Sequence, residues 1–192
     1  MTLSALGIFS AAGAGGGVAL SDYELIETQI LGSAQTSITF SGLATYASTY
    51  KHLQIRIVAR TDRASYVDSA MIQFNADTGT NYRAHYLFGN GTTVTSAADA
   101  QGDRIYAARI SGNNGGTSVF GSGVCDILDA YSSTKNTTTR SLTGYNTSSG
   151  SEIYIFSGLW LNTNSLTSIK LFPNVGSNFV TGSRFSLYGI KG

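Results

Sequence analysis

The residues able to do chemistry are few and poorly spaced for it. Asp77-Thr78-Gly79 follows an apolar segment and has the form of an aspartic-protease triplet. That chemistry needs two such aspartates sharing one proton, supplied by two lobes or two subunits. Only a homo-oligomer would bring a second one here, and Asp and Gly are also the residues tight turns select. A turn is expected. His52 and His85 are the only histidines. Each falls in a strand-like segment without the i, i+4 partner of a helical zinc motif, so packed or interface histidines are expected. Cys125 is the single cysteine. No basic residue near it in sequence would favour the thiolate, and it reads as a buried core thiol. Gly121-Ser122-Gly123 lacks the spacing of a nucleophile elbow. No phosphate loop, calcium loop or dinucleotide fingerprint occurs. The 11 acidic residues are scattered mostly through turns, a poor basis for a glycosidase carboxylate pair. The sequence predicts no enzyme, no metal site and no cofactor.

The elements that would hold these residues are strands. From residue 23 onward the apolar pattern has period two. His52 to Arg60 is the clearest case, with Leu53, Ile55, Ile57 and Ala59 on one face and Gln54, Arg56, Val58 and Arg60 on the other. Ala70, Ile72 and Phe74 alternate with Met71, Gln73 and Asn75. Ile153-Tyr154-Ile155-Phe156 is apolar on both faces, as in a central or interface strand. Further strands are expected at Thr167–Phe172 and Arg184–Ile190. Weaker candidates are Tyr23–Ile30, Thr36–Phe40, Tyr82–Phe88, Ile105–Ile110, Val119–Ile127 and Thr138–Tyr145. The total is about ten or eleven. Asn- and Gly-rich turns separate them, and Ser41 to Tyr50 has room for one helical turn. The expected fold is all-β: an antiparallel β-sandwich of jelly-roll type over residues 22–192, with an extended N-terminal arm over 1–21.

Composition narrows the function. Charged residues make up 12% of the 192 and the formal net charge is +1. There is no basic stripe for nucleic acid and no apolar run long enough for a transmembrane helix. The single cysteine allows no intrachain disulfide, and the N-terminus lacks the basic start of a signal peptide. Met1 to Leu20 is uncharged and rich in Gly and Ala, too apolar for a solubilising tail. Leu3, Leu6, Ile8, Phe9, Val18 and Leu20 are its candidate partner-binding residues. Arg56, Arg60 and Arg63, with Asp62, concentrate the limited charge and form a second candidate contact. Trp160 with Tyr154, Phe156 and Gly158 on one side of a strand suggests core packing, or else the aromatic face of a sugar-binding sandwich.

Several strings carry a family likeness. They are Tyr23-Glu24-Leu25-Ile26, Tyr50 to Arg56, Ala59 to Ala64, Phe74 to Tyr82, Asp126 to Asp129, Lys135 to Thr138, and Phe185 to Lys191. Over most of residues 22–192 the chain resembles a family of bacteriophage virion structural proteins. The strings are structural, so the resemblance implies a place of residence and supplies no active site. It implies a capsid decoration, or cement, protein on the outer surface of the virion, made in the host bacterial cytoplasm. Its expected partners are the major capsid protein and copies of itself, most simply a trimer, with no nucleic acid and no membrane. The arm would reach across neighbours. A tail-fibre or tail-tip protein binding host surface glycans is the alternative.

Overall fold

The computed structural model describes residues 22–192. The predicted arm, with Leu3, Leu6, Ile8, Phe9, Val18 and Leu20, lies outside the described residues. Twelve strands are present among those described: β1 (Tyr23–Ile30), β2 (Ile38–Ser41), β3 (His52–Ala59), β4 (Val67–Phe74), β5 (Tyr82–Gly89), β6 (Val94–Gly102), β7 (Ile105–Ser111), β8 (Gly121–Leu128), β9 (Thr137–Thr147), β10 (Gly150–Trp160), β11 (Ser168–Pro173) and β12 (Arg184–Ile190). The expected helical turn is a short 3₁₀ segment, Leu43–Tyr46.

The strands form two sheets, and every strand pair is antiparallel. The larger sheet has eight strands in the order β1-β12-β3-β8-β9-β10-β5-β6. The smaller has four, in the order β2-β11-β4-β7. The chain crosses between them repeatedly, so the inner faces share one core. Leu53, Ile55, Ile57, Phe185 and Leu187 of the large sheet meet Phe40, Ile72, Phe74, Ile105 and Leu171 of the small one. The predicted alternation in β3 is correct: Leu53, Ile55, Ile57 and Ala59 are buried, while Arg56 and Val58 face outward.

The strand missing from the sequence expectation is β6. Val94 to Gly102 has no apolar alternation and little β propensity. It forms because Gly89-Asn90-Gly91 turns the chain back on β5. The Asn90 carboxamide oxygen accepts the Thr92 and Thr93 N–H groups, at 3.0 and 2.8 Å. Once the turn is made, β5 supplies the ladder from Gly89↔Val94 to Tyr82↔Gly102, with a bulge between.

Strand β9 turns polar side chains inward. Thr137, Thr139, Ser141 and Thr143 point into the sandwich and are buried, while Leu142 points out. The cause is β7, which comes unusually close to the large sheet here. A Cβ on Gly121 would lie 2.6 Å from the Ile110 Cα, and one on Gly123 2.9 Å from the Ala108 Cβ. Only small side chains fit beneath it, and their hydroxyls must find partners. Thr143 does so. Its hydroxyl accepts the Arg109 N–H at 2.9 Å and lies 2.9 Å from both the Arg109 and the Ser122 carbonyl oxygens.

Candidate interaction face

Of the chemically capable groups singled out in the sequence, Asp77, His52 and Cys125 are tied into the fold. Asp77 closes the β4–β5 turn, where Asn75 and Ala76 both take left-handed φ values of 51° and 56°. Its carboxylate accepts the Gly79 N–H at 2.8 Å, the Asn81 amide at 2.9 Å and the Trp160 indole N–H at 2.7 Å. Burial opposes its charge, but these bonds outweigh that and hold the carboxyl below its ordinary range. His52 Nδ1 accepts the Asp129 N–H at 2.8 Å and orders the loop after β8. His85 is exposed on the outer face of β5. Cys125 is fully buried, and desolvation pushes its thiol up to about 12, which leaves almost no thiolate at neutral pH.

The three arginines do not share a surface. Arg56 is on the outer face of β3, its guanidinium 4.8 Å from the Tyr188 ring centre and 5.4 Å from that of Tyr23. Arg60 is buried. It donates to the Thr117 carbonyl at 3.2 Å and to the Asn113 carbonyl and carboxamide oxygens, pinning the β7–β8 connection. Arg63 donates to the Val67 carbonyl at 3.1 Å and lies 3.9 Å from the buried Asp68 carboxylate. Asp62 accepts the Ser177 and Asn178 N–H groups and holds the loop before β12. Only Arg56 of the three is presented outward from the sheet. Sequence adjacency suggested one patch; the end of β3 divides it, because the chain turns there into loops that need buried donors.

The aromatic residues are also largely satisfied. Trp160 is fully buried against Phe74 and Tyr82, with ring centres 5.6 and 6.4 Å apart. Phe88, Tyr154, Phe156 and Tyr106 form a column, with successive centres 4.7, 5.1 and 4.8 Å apart and planes within 14° of parallel. Both faces of Tyr154 and Phe156 are therefore covered by other rings. Stacking a sugar requires an open ring face, and those two positions do not offer one.

The surface feature that emerges is apolar. On the outer face of the large sheet the register aligns Val124, Leu142, Ile155 and Leu87 in one row across β8, β9, β10 and β5. Arg56 of β3 pairs with Val124 and ends the row. The next row carries Val58, Ser122, Gly144, Ile153, Gly89 and Val94. The large apolar side chains of both rows are 37 to 75% exposed. A shallow groove of about 760 Å³ follows the second row, lined at Ser122 and Gly144 and flanked by Val58, Val124, Leu142 and Ile153. On the other side a polar row keeps its charges paired. Asp126 accepts from Gln54 at 2.7 Å and from Arg140 at 2.9 Å.

From β3 to β6 the band crosses five strand spacings, roughly 24 Å, and its two rows occupy roughly 14 Å along the strands. A patch of a few hundred Å² is the usual size of the largest apolar patch on a monomer, and such a patch is often a functional contact. Completing the burial of each half-exposed Val, Leu or Ile contributes on the order of 1 kcal/mol. The double-sided β10 motif was the sequence signal for this face. Val58, Leu87, Val124 and Leu142 gave none individually, since their alignment exists only through cross-strand register.

A second cleft, of about 640 Å³, lies at the end of the sandwich near Lys51, Asp129, Lys135 and Lys191. Two of its lysines are paired, Lys135 with Asp129 and Lys191 with Glu24, each at 2.9 Å. No group of three or more His, Cys, Asp or Glu able to hold a metal occurs among the described residues. No known family, curated protein or solved structure matches this chain.

Proposed function

We propose that this chain is a structural binding protein that works by docking through the outer face of its large sheet, and that it serves as a bacteriophage virion protein of the decoration, or cement, kind. The observation that carries the docking role is the exposed apolar band of Val124, Leu142, Ile155 and Leu87, laid across strands whose opposite faces already fill the core. The groups most capable of chemistry, Asp77, His52 and Cys125, are committed to internal bonds or burial. The virion assignment rests on the sequence resemblance over most of residues 22–192. A jelly-roll-type topology is the finer form of the fold in this reading, in keeping with the repeated crossing of the chain between sheets.

The mechanism is thermodynamic. A protein that binds an assembled shell, and not its dissociated subunits, stabilises the shell by mass action. Several contacts per oligomer multiply that effect through effective concentration. The major capsid protein is the proposed partner, and the weakly charged surface limits repulsion between crowded copies.

The test is direct. Antibodies against the purified chain are used to label particles from a lysate of cells in which it is expressed with its phage. Labelling over the heads of intact particles is expected, and particles lacking the chain should open at lower temperature. Labelling confined to tail tips would replace decoration with the tail-associated alternative. A chain recovered only as free protein would remove the virion role.

A further inference from the structure

The outer face has a shape that fits itself. Val124, Leu142, Ile155 and Leu87 form a ridge across β8, β9, β10 and β5. The neighbouring row, two residues along each strand, places Ser122, Gly144, Ile153 and Gly89 on the same four strands. Three of these four positions are small, so a trough at Ser122 and Gly144 and a second gap at Gly89, divided by Ile153, lie beside the ridge, about 7 Å away.

We infer that this face pairs with the same face of a second copy about a two-fold axis. The inference rests on the reading of the outer sheet as an interaction face and names its occupant, which leaves the major capsid protein to be met by another part of the pair. The axis lies in the interface, parallel to the ridge and midway between ridge and trough. Rotation about it keeps each strand opposite its own counterpart and exchanges the two rows. Val124 of each copy then covers Ser122 of the other, Leu142 covers Gly144, Leu87 covers Gly89, and Ile155 meets Ile153. Large lies over small on three of the four strands, and every contact occurs twice, as a two-fold interface requires. The sheets pack as aligned sheets do, about 10 Å apart, with strands running in opposite directions.

Two further observations favour a second copy over a different protein. The two rows carry no charge except Arg56 at one end, so the face offers a foreign partner little electrostatic selection. The flanking Asp126 is already engaged by Gln54 and Arg140. The two rows that the axis exchanges measure roughly 24 Å by 14 Å, so two copies bury on the order of 700 Å² in total, the size of a weak, transient pair. Pairing at micromolar affinity is the expectation. It replaces the trimer expected from the sequence with a two-fold pair.

The test uses the full chain and light scattering coupled to gel filtration. The wild type should show twice the monomer mass at high micromolar concentration. Ser122→Asp and Val124→Lys are exposed, outward substitutions that leave the core intact; circular dichroism checks their folding. Each variant alone strands a charge against the opposing copy. Each should lower self-affinity roughly a hundredfold and run at half the wild-type mass. Mixed in equal amounts, the two should regain the dimer, because the carboxylate introduced in one copy then faces the ammonium introduced in the other. A wild-type monomer or trimer, or two monomeric variants whose mixture stays monomeric, overturns the two-fold pairing. Particle association of Leu142→Asp separates the two levels. If the wild type is monomeric and this variant still loses the particle, the face binds another protein and the docking reading stands.

Discussion

Removing the Asp77 carboxylate tests how the β4–β5 turn is joined to the core. Asp77 accepts the indole N–H of the fully buried Trp160 at 2.7 Å, and Gly79 and Asn81 within its own turn. In Asp77→Ala the indole donor is left without that acceptor, which costs about 1–3 kcal/mol. Loss of the turn's bonds adds about 1 kcal/mol, by analogy with a helix cap. Unfolding free energy should fall by about 3 kcal/mol. With a urea m-value near 2 kcal/mol/M for a domain of this size, the midpoint should drop by about 1.5 M. Trp160 is the only tryptophan, so its fluorescence reports the transition without interference. Asp77→Asn keeps an acceptor and loses the charge, and should lose about 1 kcal/mol. The pH dependence has a definite sign. The folded carboxyl titrates below its unfolded value. Its contribution is therefore present above the unfolded carboxylate range and is lost as pH falls through the lower folded value. The difference between wild type and Asp77→Asn should accordingly shrink as the solution is made strongly acidic. An Asp77→Ala midpoint within about 0.2 M of wild type, or a difference from Asp77→Asn that grows in acid, would show that this carboxylate does not anchor the turn.

The remaining predictions concern other buried parts. Arg60→Met should lose roughly 2–4 kcal/mol, because the carbonyls of Asn113 and Thr117 lose a charged donor, and proteolysis should first appear in the β7–β8 connection; unchanged stability would show that water replaces the guanidinium. Gly121→Ala should destabilise by several kcal/mol through its clash with the Ile110 backbone, whereas Ser122→Ala beside it should be nearly neutral, as thermal melts will show. Cys125, with its thiol pushed up to about 12, should react with a thiol reagent only as fast as the chain unfolds; rapid labelling in mildly alkaline native buffer would contradict its burial.

Local alternation along the chain was enough to establish the all-β class, most strand positions and the inner face of β3, because that pattern survives in any register. The turn at Asp77 was legible for a similar reason, since the preference of Asp and Gly for turns is local. Three features came only with packing. Strand β6 has no pattern of its own and forms because a hairpin places it against β5. Strand β9 turns its hydroxyls inward because β7 packs too close for larger side chains, a contact between residues 34 positions apart. The three arginines separate, and Arg60 goes inside, because the chain leaves the sheet after Ala59. The apolar band has the same origin. Each strand contributes one or two outward residues that mean little alone, and only the cross-strand register brings Val124, Leu142, Ile155 and Leu87 into one row. Period-two patterning shows which residues share a face of a strand, but not which strands lie side by side, and a surface made by neighbouring strands is therefore a property of the fold.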